Sequence, residues 1–144
     1  MSLHIPRAIL TQIHLHGEQA YPEEGAGLLL GDLEGMEHHV REILPLTNSR
    51  EAQARHNRYQ LSPQEYMQGE QHAESRGMAV LGVFHSHPDH PNRPSEYDRQ
   101  WAWPNFSYLI TSVTQGGSAG SRSWRLREDR TAFSEEIVSI TGEG

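Results

Sequence analysis

Two residue types are missing from this chain of 144 residues, and both absences narrow its chemistry. Without cysteine there can be no disulfide, no thiol nucleophile and no thiolate-bound zinc. Any metal must be held by His, Asp or Glu. All 12 basic residues are arginine, so Schiff-base and lysine general-base chemistry are excluded as well. No run of 18 apolar residues occurs, and the N-terminus does not pass from basic to apolar. The sequence therefore predicts neither a membrane span nor a signal peptide, and a cytoplasmic protein. Positive charge is scarce too. A net charge of −7 argues against a nucleic-acid groove, whose affinity comes largely from neutralising phosphates.

What is present is an ordinary mixture for one packed domain, 1–144, with 35% hydrophobic and 22% charged residues. Ile5, Ile9 and Ile13, with Leu10 beside them, set a helical stripe over Pro6 to about Glu18. His14 and His16 fall on different sides of that helix and read as a solvated face. Tyr21-Pro22-Glu23-Glu24-Gly25 ends it. Ala26 to Leu30 is a short apolar strand, Gly31 to Gly35 a turn, and Met36 to Leu46 the returning strand. Thr47 to Arg58 is a polar loop without periodicity, the expected mobile segment.

Ser62-Pro63-Gln64-Glu65 predicts a helix start with an N-cap serine, proline at N1 and a capping-box glutamate. That helix is expected to stop at Gly77 and to bury Tyr66, Met67 and Ala73. Met78 to Phe84 is nearly continuous in apolar residues, as in a strand covered on both faces. A short helix ends at Trp101 and Trp103 before Pro104, and Phe106 to Val113 is another strand. Gln115 to Ser121 is a turn, here including Gly116-Gly117. In its hairpin partner, Arg122 to Arg127, Trp124 and Leu126 alternate with Arg125 and Arg127. Thr131 to Ile140 closes the sheet. The expected fold is α+β, one mixed, curved β-sheet flanked by helices. His38, His39 and His72 read as surface residues, and Arg55 and Arg58 as loop arginines.

The chemistry concentrates after Phe84. His85 and His87 at i and i+2 on an extended chain project to one side, about 6.5–7 Å apart at Cα, so both rings can converge on one ion. A Pro-rich segment, Pro88 to Pro94, can fold back over them. Ser95 then opens a helix that carries Asp98 in its first turn. Two His and one Asp leave a fourth tetrahedral position for water, the pattern of a catalytic zinc. Zinc lowers the pKa of such a water to about 7. Glu23 or Glu24 can take its proton, and Ser95 can donate to an oxyanion. His90, in the loop, is close enough to touch substrate but reads more simply as solvated. Trp101 and Trp103 either wall a groove or pack the short helix onto the sheet.

No single piece is specific. Ten His placed at random in 144 residues give about 0.7 His-x-His pairs, and this chain has two. Ser95-x-x-Asp98 is also a capping box in its own right. The composite run is another matter. His-Ser-His-Pro-x5-Pro-Ser-x2-Asp resembles the signature of the JAMM/MPN+ metalloprotease family over a core from about Tyr21 to Val113.

The resemblance implies a cytidine-deaminase-like core and one catalytic Zn2+ bound by His85, His87 and Asp98. It further implies Ser95 at the oxyanion site and Glu24 of Pro22-Glu23-Glu24 as general base. Gly27-Leu28-Leu29-Leu30-Gly31 resembles the family's strand after that glutamate. Many bacterial members carry cysteine two residues after the glutamate, where this chain has Ala26, a position outside the zinc chemistry. The segments Thr47 to Arg58 and Trp103 to Asn105 are short beside the insertions of the family's deubiquitinases, so polyubiquitin recognition is not expected.

Compact prokaryotic members cleave peptide or isopeptide bonds next to the C-terminal Gly-Gly of ubiquitin-like sulfur-carrier proteins. The expected partner is accordingly such a carrier or a peptide, with no nucleic acid and no membrane. The alternatives are a non-catalytic scaffold of the same fold and a hydrolase of a small amidated metabolite or of an amino acid linked to a carrier.

Overall fold

A computed structural model describes residues 1–46 and 62–142. The expected polar loop from Thr47 to Arg58 lies outside the described residues, with Arg55 and Arg58. The elements are β1 (Ser2–Pro6), α1 (Arg7–Ala20), β2 (Ala26–Glu34), β3 (Glu37–Pro45), α2 (Pro63–Ser75), β4 (Ala79–Pro88), α3 (Glu96–Trp101), β5 (Ser107–Thr114), β6 (Gly117–Leu126) and β7 (Phe133–Thr141). Among the described residues, no helix is long and apolar enough to cross a membrane.

The mixed sheet closes on itself as a barrel in the order β1-β3-β2-β4-β5-β6-β7. Three joints are parallel, β1 with β3, β1 with β7, and β4 with β5. The α+β expectation holds, with closure added to it. Closure depends on β1, which the periodicity hid. Ile5 extends the helical stripe, yet it belongs to a strand in which Leu3 and Ile5 are fully buried and alternate with the half-buried Ser2, His4 and Pro6.

The Gly31–Gly35 and Gln115–Ser121 turns are also tighter than expected. β2 runs on to Glu34, and β6 begins at Gly117.

Leu28, Leu29 and Leu30 are each fully buried because the sheet is covered on both faces. Leu29 joins the barrel interior with Leu3, Ile5, Val40, Leu81, Phe84 and Leu109, and Leu10 and Ile13 of α1 complete that cluster. Leu28 and Leu30 face outward into a second cluster with Val80, Val83 and Ala73 of α2. Burying each such leucine contributes about 2 kcal/mol.

The start of α2 is as expected. The Glu65 N–H donates to Ser62 Oγ, and the Ser62 N–H donates to Glu65 Oε1, each at 3.1 Å. Ala73 is buried as expected, but Tyr66 is only half-buried, Met67 is 56% exposed, and Gly69 joins Ala73 on the buried face. A Cβ on Gly69 would lie 2.1 Å from Leu28 Cδ1, so the helix reaches the sheet through its smallest residue.

The interior also holds polar groups. Arg125 was expected to alternate outward, but it is buried with Glu136, their Nε and Oε2 2.6 Å apart without hydrogen-bond alignment. Ser123 Oγ donates to Glu136 Oε1 at 2.6 Å, and Arg125 Nη2 donates to the Ser2 carbonyl at 3.3 Å. The pair therefore ties β6 to β7 and to β1 at the closing seam.

His38, expected on the surface, is 3% exposed, with Nδ1 2.7 Å from Ser107 Oγ. Burial and the nearby Arg125 cation push its pKa down to about 4. The unfolded imidazole protonates near 6.5, while the folded one stays neutral to about 4, so the unfolded chain binds more protons in between. His38 therefore makes stability fall as pH drops from 6.5 toward 4 and contributes no slope above 6.5. Urea midpoints measured across that range are expected to show the slope in the wild type and a shallower one in His38→Gln.

His14 and His16 are half-buried, not solvated. His14 Nε2 lies 2.8 Å from Ser121 Oγ, and His16 packs edge-on against Phe84 at 5.7 Å. Burial lowers both pKa values, opposed at His14 by Glu18 and at His16 by a backbone hydrogen bond at Ala26. His39 stacks on His4, and His72 bonds Glu42 at the surface.

Candidate metal centre

β4 is flanked in the barrel by β2 and β5, and its last residues carry both imidazoles. His85 and His87 are 5% and 8% exposed, with ring centroids 4.9 Å apart. Each ring is oriented from behind. His85 Nδ1 lies 2.9 Å from Glu24 Oε1, and His87 Nδ1 lies 2.8 Å from the Pro91 carbonyl. An Nδ1–H donating to each acceptor leaves both Nε2 atoms as bases facing the same spot, the outer-shell arrangement common to metal-binding histidines.

Asp98 comes to that spot from α3. Ser95 is the helix N-cap, with the Asp98 N–H donating to Ser95 Oγ at 3.0 Å and the Ser95 N–H donating to Asp98 Oδ2 at 2.8 Å. The capping box and the site are thus one structure. The box fixes the carboxylate, whose Oδ2 lies 3.2 Å from His87 Nε2 and Oδ1 3.9 Å from His85 Nε2. One donor atom from each of His85, His87 and Asp98 lies within 4.8 Å of the others, and no further such group of three occurs among the described residues.

The electrostatics suit a cation. Burial pushes the His85 imidazole down, but Asp98 and Glu24 outweigh it and bring its pKa up to about 9. Burial pushes Asp98 up, and His85, His87 and the Ser95 N–H nonetheless hold its carboxyl well below the usual range. The field that favours a proton here equally favours a metal ion, and the two compete for the same nitrogen lone pairs. Two imidazole nitrogens and one carboxylate oxygen, each oriented by a further bond, are a donor set that zinc accepts.

The site opens on a cavity of about 420 Å³ lined by Glu24, His87, Ser95 and Asp98 and by the loop after β4. That loop folds back as expected and is held at several points. The Asp89 N–H donates to the Val113 carbonyl, Ser112 Oγ to the His90 carbonyl, and Trp124 Nε1 to the Asn92 carbonyl. Tyr21 Oη donates to Asp89 Oδ2 at 2.9 Å, joining the loop to the segment that carries Glu24.

Of the two candidate bases, Glu24 reaches the site and is 6% exposed. Glu23 is half-buried and does not line the cavity. His90 is exposed on the cavity wall. Trp103 does not line the cavity but packs against Tyr66 and Phe106 on the outer face of the sheet. Residue types alone do not reveal the Pro91 carbonyl, a backbone acceptor that no side chain announces.

The family model of prokaryotic homologs of the JAB domain matches residues 6–127. A relative from Thermus thermophilus, named a probable TtuB-protein conjugate cleaving protease, is 29% identical over 126 residues, 88% of this chain and 77% of its own length. A Haloferax volcanii protein named desampylase is 36% identical over 92 residues, 63% of each chain.

Solution structures from Salinibacter ruber and Desulfitobacterium hafniense superpose over 98% of this chain, with TM-scores of 0.75 and 0.83 and identities of 40% and 29%. They are covered over 92% and 94% of their own lengths, respectively. A JAB1/MPN domain protein from Archaeoglobus fulgidus shares the fold at 20% identity and a TM-score of 0.56, over 99% of this chain and 97% of its own. With a matching model that spans all but the first and last stretches of the sequence, the chain belongs to the family of prokaryotic homologs of the JAB domain.

Proposed function

We propose that this protein is a JAMM-type zinc metallopeptidase that hydrolyses an amide or isopeptide bond next to the C-terminal Gly-Gly of a ubiquitin-like sulfur-carrier protein. On this reading, residues 1–144 work as one metalloprotease domain on a cytidine-deaminase-like core. The observation that carries it is the convergence of His85, His87 and Asp98 at a cavity into which Glu24 also reaches. The names of the Thermus and Haloferax relatives, a conjugate-cleaving protease and a desampylase, support the substrate class.

His85, His87 and Asp98 would hold the ion. When bound, zinc supplies Lewis-acid polarisation and a water acidic enough to ionise near neutral pH. Glu24 takes the proton of the attacking water and later returns it to the leaving amine. Ser95 Oγ already accepts the Asp98 N–H, and a hydroxyl keeps its own proton for donation. That O–H is free to stabilise the oxyanion of the tetrahedral intermediate. Pro88, Pro91 and Pro94 line the cavity and stiffen its wall beside the site.

The test is incubation with carriers bearing C-terminal extensions beyond Gly-Gly, with and without a chelator. Cleavage after the second glycine that stops with chelator and returns with added zinc is the expected result. A zinc-loaded protein that leaves every such carrier intact would contradict the substrate assignment.

A further inference from the structure

Between the two metal-binding histidines sits Ser86, which the proposed chemistry leaves without a task. It is 2% exposed, and on the extended strand its side chain points away from those of His85 and His87. The β2–β4 ladder ends at the pair Ala26 and His85, and one step further Gly25 stands opposite Ser86. An antiparallel pair of this kind would exchange two backbone hydrogen bonds. Only one is made, the Ser86 N–H donating to the Gly25 carbonyl at 2.9 Å. The Gly25 N–H donates instead to Ser86 Oγ at 2.8 Å in a buried contact. A side-chain hydroxyl has replaced the backbone carbonyl at the point where the chain leaves the ladder. The next residue back is Glu24, whose Oε1 meets His85 Nδ1.

We infer that Ser86 is a positioning residue. Its Oγ, by accepting the Gly25 N–H, fixes the departure of the chain from the sheet and so sets the Glu24 carboxylate against His85. The inference deepens the metal-centre reading and rests on it. Ser86 touches neither substrate nor ion, and its influence runs through Gly25 and Glu24 to the orientation of the His85 ring. Loss of the hydroxyl strands a buried N–H, which can recover a partner only if the Glu24 segment shifts.

Ser86→Ala is therefore expected to weaken zinc binding about 10-fold, the lower end of what loss of an outer-shell partner costs a metal site. It should also lower kcat by about 10-fold or more through misplacement of the base, with KM little changed. Ser86→Thr keeps the hydroxyl on a residue suited to a strand and is expected to restore both. Zinc affinity is read without substrate, by competition with a chromophoric chelator. A residue that merely packs would lower the melting temperature and leave that affinity unmoved.

Should Ser86→Ala fail to fold, Ser86→Cys, whose sulfur is a weak acceptor, is expected to bind zinc more weakly than Ser86→Thr. Wild-type zinc affinity in Ser86→Ala or Ser86→Cys, or no rescue by Ser86→Thr, overturns the inference while leaving the metal centre standing. A wild-type protein that binds no zinc overturns both.

Discussion

Glu24→Gln is expected to lose about 10²–10⁴ of kcat, the usual worth of a positioned acid–base group, while the fold and the metal are retained. The two halves of that expectation come from the two ends of the carboxylate. One oxygen accepts from His85 Nδ1 in a site where both side chains are at most 5% exposed. An amide oxygen can accept the same hydrogen bond, so the orientation of His85 survives the substitution. A neutral amide cannot take up a proton from water at neutral pH, so turnover does not survive.

Glu24→Ala separates the roles further. It removes the acceptor as well as the base, and zinc affinity should fall by about 10–100-fold. Steady-state kinetics on a cleavable carrier and zinc titration of each variant check both statements. Turnover of Glu24→Gln within a few-fold of wild type would remove Glu24 from the chemistry.

Arg125→Met is expected to cost about 3–5 kcal/mol of stability, because it leaves the Glu136 carboxylate buried without its counter-charge. Both side chains are almost wholly enclosed, at 5% and 0% exposure, so water cannot replace the lost partner. The pair as a whole is a different quantity. Removing two charges from water costs nearly what their attraction returns, and replacing both with apolar residues of similar volume is often neutral. The double variant Arg125→Met/Glu136→Leu should therefore recover most of the single variant's loss, less the bonds that Ser123 and the Ser2 carbonyl forfeit. Urea unfolding of the wild type, both single variants and the double variant gives the coupling directly. A single-variant loss below about 1 kcal/mol, the ordinary worth of an exposed pair, would show that the seam admits water.

The candidate site was more legible than the barrel that carries it. His85, His87, Ser95 and Asp98 lie within one stretch of chain, where spacing on a strand and in a first helical turn translates into geometry. Glu24, 61 residues before His85, is one of two candidate bases by residue type, and only the family pattern selects it over Glu23. Local periodicity could not show barrel closure, because β1 pairs with strands that begin at Glu37 and Phe133. Ile5 fits a helical stripe and an alternating strand equally well, and only its distant partners decide between them.

His38 and Arg125 were placed outside for a related reason. A polar residue faces inward only if a matching group arrives from another strand, as Ser107 and Glu136 do. Ser86 shows the same limit at the site itself, since its partner Gly25 becomes visible only from the register of β2 on β4.

On the proposed function, His85, His87 and Asp98 hold an ion beside a base, Glu24, that is not a ligand. Zinc content per chain, measured by mass spectrometry after reconstitution and removal of free metal, tests it most directly. About one zinc per chain is expected in the wild type, as for a His₂Asp catalytic site, and the same in Glu24→Gln, with far less in His85→Ala and Asp98→Ala. Full zinc content in Asp98→Ala, or none in the wild type, would contradict the account.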